Sequence, residues 1–461
     1  MRRRDWLGTV TGPMGEEGAA ALARVEAELA KRWPESRIDP TLDRMKALVE
    51  LLDQPQTRYP VIHVTGTNGK TSTARLIEWL LIAFGLRTGR FTSPHVESVT
   101  ERIVLDGRPL SPERFAAAFD EVAPYLDVVD AQSDVPLSFF EVLVAMAYTT
   151  FADAPVGAAV VEVGLGGEWD ATNVADGQVA VVTPIAVDHA AYLGNDAGTI
   201  AAEKAGIIKP GAVAVLAQQE VEPAEVLIRR AAEVGATVAR EGLEFGVVHR
   251  EVALGGQQLA LRGLGGDYDE VYLPLFGAHQ AQNAACALAA VEAFLGGRDL
   301  DRDVVREGFA RVTSPGRLEI VRTSPTVVLD AAHNPAGAEA TASAISEGFS
   351  FSRLVGVVAV MADKDVVGIL EAFEPLLSEI VVTQNSSHRC MPATELGEIA
   401  EDVYGLDRVH VVPSLPDALE TAVALAESSG ELSGAGVLVT GSVVTVGDAR
   451  RLLRRADREA R

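Results

Sequence analysis

Tyr59-Pro60-Val61-Ile62-His63-Val64-Thr65-Gly66-Thr67-Asn68-Gly69-Lys70-Thr71-Ser72 is the stretch on which the reading of this chain turns. Through Thr65 it is a short apolar, β-branched run, the pattern of a strand buried on both faces. From Thr71 the apolar positions recur at helical spacing to Phe84, and Gly85 supplies a stop. The glycines between permit a tight turn and let backbone N–H groups approach phosphate oxygens. Lys70 would neutralise β- and γ-phosphate charge, and the helix N-terminus adds a favourable dipole. Thr71 or Ser72 brings a hydroxyl to where a magnesium ion would sit. The usual phosphate loop has a glycine where Val64 stands, so this is a shortened variant. A plain glycine-rich turn is the bland alternative; Lys-Thr-Ser at the helix start favours phosphate.

Outward from this loop the same alternation continues. Ala158-Ala159-Val160-Val161-Glu162-Val163 and Val179-Ala180-Val181-Val182-Thr183 are further near-continuous apolar strands separated by helical stretches. Before the loop, Leu22, Val25 and Leu29 predict a helical opening segment to about Asp53. Residues 245–275 alternate Val/Leu with glycine pairs and predict an appended antiparallel hairpin region. A helix is expected over 280–294, closed by Gly296-Gly297. Turn residues at 311–317 mark a linker, after which strands at 326–329, 354–358, 380–382 and 436–439 begin a second βα series. The expected fold is α/β: a P-loop-type parallel-sheet ATPase domain with a small antiparallel sheet (1–313) and a smaller Rossmann-like domain (314–461).

The length of 461 residues also favours two domains, and the composition is that of a globular protein. A formal charge of -25 argues against nucleic-acid or anionic-membrane partners, which reward basic faces. Small anionic substrates answer to local groups and stay open. The basic run Arg450, Arg451, Arg454, Arg455, Arg458 and Arg461 reads as a solvated last helix. Cys286 and Cys390 show no metal or redox spacing, Met1-Arg2-Arg3-Arg4-Asp5 leads into no apolar signal core, and no run would span a bilayer. A cytoplasmic address is expected.

Three more positions fall at or beyond predicted strand ends, where open α/β sheets place their sites. Glu162, beside glycines, suits a hard ion bridging phosphates. His189 and Lys204, taken alone, read as a polar loop histidine and a surface lysine.

Together with His63 to Ser72, an ordered set of segments runs along nearly the whole chain. It comprises Thr92-Ser93-Pro94-His95 with Glu101-Arg102-Ile103, Ser138-Phe139-Phe140-Glu141, Glu162 to Gly167 with Asp170-Ala171-Thr172-Asn173, and Asp188-His189. It continues with Glu203-Lys204-Ala205-Gly206-Ile207-Ile208, Gly277-Ala278-His279-Gln280 with Asn283, Pro315-Gly316-Arg317, Asp330 to Pro335, and Thr440-Gly441-Ser442. This set resembles the folylpolyglutamate synthase/dihydrofolate synthase branch of the Mur ligase superfamily. The resemblance implies an ATP-dependent ligase that joins L-glutamate to dihydropteroate and/or to reduced folates through an acyl phosphate.

 Both activities in one chain, as in bifunctional bacterial members, are what the resemblance implies.

The same resemblance assigns roles residue by residue. Gly66, Thr67, Asn68, Gly69, Lys70, Thr71, Asn283, Arg317 and Asp330 match ATP-contacting positions. Ser93, Glu162 and His189 match magnesium positions, and Lys204 matches a lysine that is often carbamylated, which would turn a repelling cation into an anionic oxygen ligand. Ser138, Phe140, Asp170, Ala171 and Asn173 match the lining of a pterin pocket, while His333 and Ser442 are candidates for orienting glutamate. Lys70, Lys204 and His333 are thus the expected catalytic groups, with ATP and Mg²⁺ as cofactors and a monomer as the expected state. Two departures stand out. Glu168-Trp169 replaces a more usual Arg followed by Leu or Trp, a charge reversal beside the expected pterin pocket, and Ala190-Ala191-Tyr192 lacks the commoner hydroxyl or Met. The first keeps open a monofunctional ligase. A regulatory nucleotide-binding protein without turnover is the alternative from another class, and the joint presence of Lys70, Ser93, Glu162, His189 and Lys204 speaks against it.

Overall fold

The computed structural model describes residues 15–34, 37, 39–188, 190–194, 196–428 and 434–459. Its first sheet has eight strands: β1 (Val61–Thr65), β2 (Thr88–Phe91), β3 (Ile103–Leu105), β4 (Arg108–Pro109), β5 (Ala158–Glu162), β6 (Val179–Val182), β7 (Val213–Leu216) and β8 (Thr237–Arg240). Their spatial order is β4-β3-β2-β5-β1-β6-β7-β8. The six strands from β2 to β8 in that order run parallel, and β3 and β4 close one edge antiparallel. The chain leaves β1 toward β2 on one side and β6 toward β7 on the other. A crevice therefore opens at the carboxyl ends of two adjacent strands, where such sheets bind ligands.

Helices cover both faces, which is why these strands are apolar throughout. Glu16–Leu29, Asp43–Leu51, Pro112–Asp130 and Phe139–Asp153 pack one side around Phe115, Leu143 and Tyr148. Lys70–Ala83, Ala278–Phe294 and Arg302–Ala310 pack the other, where alanines of the second helix allow close approach. The expected hairpin region is a three-stranded antiparallel sheet of β9 (Gly246–Ala253), β10 (Gly256–Arg262) and β11 (Asp267–Leu273).

Six strands make the second large sheet: β12 (Glu319–Thr323), β13 (Thr326–Leu329), β14 (Arg353–Val358), β15 (Glu379–Val382), β16 (Val409–Val411) and β17 (Ala435–Thr440). The order is β12-β13-β17-β14-β15-β16, parallel except for β12 at its edge. Apolar clusters line both of its faces. Among the described residues no helix is long and apolar enough to cross a membrane.

Local details differ from the sequence reading for physical reasons. The opening segment is two helices, not one, with Pro34 and Pro40 lying between them. The helix after the phosphate loop begins at Lys70, capped by Gly69 at φ +87°, a left-handed conformation that favours glycine. The solvated last helix needs correction at Arg450. This residue is buried against Glu319 and Glu97.

Candidate active site

A cleft of about 1050 Å³ lies between the two large sheets, and residues from both line it. The phosphate loop forms its floor. A Cβ at Gly66 would stand 1.9 Å from Thr183 Oγ1, and one at Gly69 would stand 2.5 Å from Asn283 Oδ1, so neither position accepts a larger residue without a shift. Lys70 Nζ curls back to donate to the carbonyls of Gly66 and Thr67, both at 3.0 Å. Burial draws its ammonium below the ordinary lysine pKa, with Glu162 and Asp188 opposing that shift. Lys204 Nζ reaches the same Gly66 carbonyl at 3.0 Å. Burial first, and then repulsion from Lys70, lower Lys204 to about 7.

Glu162, at the end of β5, accepts from Thr71 Oγ1 at 2.8 and 3.0 Å and from the Ser93 N–H at 3.4 Å. Burial raises its carboxyl pKa against the pull of Lys70. Glu162 and Thr71 thus bring hard oxygens together beside Ser93 without a full protein cage, and among the described residues no cluster of three or more His, Cys, Asp or Glu forms one. That donor set fits magnesium, which keeps waters and takes substrate phosphates beside one or two carboxylates. His189, the third expected ligand, lies outside the described residues.

The opposite wall comes from the linker and the strand ends of the second sheet. Arg317 lines the cleft with no hydrogen-bond or ion-pair partner for its guanidinium among the described residues. Asp330 lines it too, but its oxygens accept from Leu318 N, Ala332 N and Thr341 Oγ1 at 2.8 to 3.0 Å, which fixes the turn around Arg317. His333 Nδ1 lies 2.9 Å from the Ala331 carbonyl, so that nitrogen carries the proton in the neutral ring. Burial, reinforced by Lys364, lowers His333 to about 4. Ser442 caps the last helix through Thr445 N at 3.0 Å and accepts from Asn385 Nδ2 at 3.2 Å.

Asp188 and Asn68 bridge the walls, Asn334 Nδ2 donating to Asp188 Oδ2 at 3.1 Å. Lys364 Nζ bonds Asp188 Oδ1 at 2.6 Å, and the Asn68 and Asn334 amides face each other at 3.1 and 3.4 Å. Asp363-Lys364-Asp365, a charged triplet just past β14, was the available signal for Lys364, which the sequence reading did not select.

At the far end of the cleft stand Ser138, Phe140, Trp169, Asp170 and Ala171. Ser138 and Glu141 form a capping box, and Arg44 Nε holds Glu141 at 3.1 Å. Phe140 packs on Gly164, where a Cβ would meet its ring at 2.4 Å. Asp170 accepts from Leu165 N and Thr172 N at 2.9 and 3.0 Å. Asn173 is not on the wall: its amide ties the carbonyls of Glu168 and Gly206 at 2.9 and 3.3 Å from behind. Glu168 also lies off the wall, exposed and beside Gly206, while Trp169 faces the cleft.

A shortened phosphate loop on a parallel sheet, facing a second α/β sheet across a shared cleft, is the plan of a Mur-type ATP-dependent ligase. Residues 316–443 match the family "Mur ligase, glutamate ligase domain". The chain is 50% identical to the dihydrofolate synthase/folylpolyglutamate synthase of Mycobacterium tuberculosis over 97% of each chain, and 32% identical to that of Escherichia coli over 90% of this chain and 93% of the other. The M. tuberculosis folylpolyglutamate synthase complexed with ADP superposes with a TM-score of 0.91 at 51% identity, over 95% of this chain and 99% of that one. E. coli FolC in complex with DHPP and ADP gives 0.83 at 30%, over 97% and 100%. The chain belongs to the dihydrofolate synthase/folylpolyglutamate synthase family, whose members are ATP-dependent glutamate ligases.

Proposed function

We propose that this chain joins L-glutamate both to dihydropteroate and to reduced folates already bearing glutamate. The carrying observation is the single cleft that holds Lys70 and Glu162 on one wall and Arg317 and His333 on the other. The substrate carboxylate attacks the γ-phosphate of ATP, giving an acyl phosphate and ADP. The glutamate amine then attacks the acyl carbon, and phosphate leaves from the tetrahedral intermediate as the amide forms.

The chain's own groups do this by positioning and charge. Amides at the start of the Lys70–Ala83 helix receive the phosphates, those of Thr67 and Asn68 being held by the Pro184 carbonyl, with Asn283 and Asp330 framing the nucleotide. Lys70 gives up its carbonyl contacts to meet the transferring phosphate, and Arg317 approaches from across the cleft. Glu162, Thr71 and Ser93, with His189, would hold Mg²⁺, which supplies charge neutralisation on the phosphates. Lys204, at about 7, has a large neutral fraction at physiological pH, which is the form that reacts with CO₂; its carbamate would remove the repulsion with Lys70. His333 and Ser442 orient glutamate, and Ser138, Phe140, Asp170 and Ala171 receive the pterin, with Asn173 bracing that loop. A boundary at 313/314, a hinge at 313–316, a monomeric state and a cytoplasmic address belong to the same proposal.

Glu168 pointing out of the cleft favours the bifunctional reading over a monofunctional one, because its charge does not face the pterin end. ADP release that requires glutamate together with either dihydropteroate or tetrahydrofolate tests this. Turnover with neither acceptor sinks it; turnover with one alone selects the monofunctional enzyme.

A further inference from the structure

Arg450 sits on the last helix, Val443–Glu459, with its guanidinium nearly buried between two carboxylates from opposite sides of the molecule. Its Nε donates to both Glu319 oxygens at 2.9 and 3.0 Å, Nη2 adds a bond at 2.9 Å, and Nη1 binds Glu97. Each carboxylate leads to a residue of the cleft. Glu319 Oε2 accepts the N–H of Gly316 at 2.9 Å, and Gly316 precedes Arg317. Glu97 closes the loop that leaves Ser93, where Glu101 holds the N–H groups of Val96 and Glu97 at 2.9 and 3.0 Å.

The helix also presses on both segments. A Cβ at Gly316, which has φ +69°, would stand 2.8 Å from Val446 Cγ1, and a Cβ at Gly447 would stand 1.9 Å from the Val96 carbonyl. A planar guanidinium with five donors suits such a double grip, and a lysine point charge would not reproduce it.

We propose that Arg450 is a positioning residue of the ligase reaction: by clamping Glu319 and Glu97 together it sets Arg317 and Ser93 at their separation across the ATP end of the cleft. The inference rests on the roles given to Arg317 and Ser93 above. Arg450 touches no substrate; it acts through the two carboxylates.

The test compares Arg450→Ala, Arg450→Lys, Glu97→Gln and Glu319→Gln with Arg408→Ala, which breaks a similar grip on Glu374 away from the cleft. Arg450→Ala is expected to lower kcat/KM for ATP roughly a hundredfold, the scale of a 1 Å misplacement, while the KM for the pteroate acceptor stays within about twofold. Arg450→Lys should recover part of this, and the two isosteric Gln variants should fall between. Arg408→Ala should lose thermal stability with ATP kinetics unchanged. Calorimetric binding of a non-hydrolysable ATP analogue reads the clamp without turnover, with weaker binding in Arg450→Ala expected. Unchanged ATP kinetics and analogue affinity in folded Arg450→Ala overturn the clamp. If that variant does not fold, unchanged values in both Gln variants do the same. A wild type that binds the analogue but never turns over with either acceptor overturns the ligase reading instead.

Discussion

The two walls of the cleft handle their charges differently. On the phosphate-loop wall the groups around the loop are engaged locally: Lys70 and Lys204 share the Gly66 carbonyl, and Glu162 holds Thr71. On the wall built by the linker and second sheet, Arg317 has no partner among the described residues, His333 is held neutral, and Lys364 reaches across to Asp188. The first wall is assembled without help from the second, and receiving phosphate asks mainly that Lys70 leave its carbonyl contacts. The second carries groups whose position depends on how the two sheets approach each other. Nucleotide affinity therefore belongs mainly to the first wall, and the commitment to turnover to the second.

Removing Lys70 strikes the first wall hardest. Lys70→Ala should cost roughly a thousandfold in kcat/KM for ATP, with analogue binding weakened as well, since ground-state and transition-state charge both lose their counterion. Equal loss in kcat with unaltered analogue binding would move affinity elsewhere and break the comparison. Arg317→Ala should cost about a hundredfold, concentrated in kcat and with analogue affinity nearly retained; a calorimetric titration beside steady-state kinetics separates the two.

A smaller effect concerns Lys204 and has a definite sign. Its folded pKa of about 7 lies below the ordinary lysine value of 10.5, so between these values the unfolded chain binds more protons. The contribution of Lys204 to stability therefore rises with pH across that window and is flat below it. Thermal melts of the uncarbamylated apoprotein should show this rise, and Lys204→Met should flatten it. ¹³C-bicarbonate labelling should show carbamate growing as pH rises through about 7. Least of all, Glu168→Arg should change the KM for dihydropteroate by less than about twofold, as expected for an exposed side chain off the wall. A large improvement would place Glu168 back in the pterin end.

The phosphate loop and both parallel sheets were legible because their signals are local. Glycines beside a lysine at a strand–helix junction, and apolar runs in strands covered on both faces, need no knowledge of distant residues. The antiparallel edges were not legible: β4 is two residues long. Arg450 was misread because its partners lie 353 and 131 residues away, and a helix rich in arginine looks solvated until those carboxylates are placed. Asn173, expected to line the pterin pocket, spends its amide on the carbonyls of Glu168 and Gly206 for a related reason. Sequence neighbours in a loop share a neighbourhood, yet side-chain direction decides which of them faces the ligand.

The cleft lining balances its lysines and arginines with as many carboxylates, Lys364 and Arg389 being paired with Asp188 and Asp363, inside a protein whose formal charge is -25. An incoming polyanion is thus repelled by the far field and finds favourable groups only on contact, at the phosphate loop and Arg317. Added salt, with a Debye length of about 10 Å at 0.1 M, screens the long-range part first. Association of ATP should consequently quicken with moderate ionic strength, the reverse of ordinary electrostatic steering.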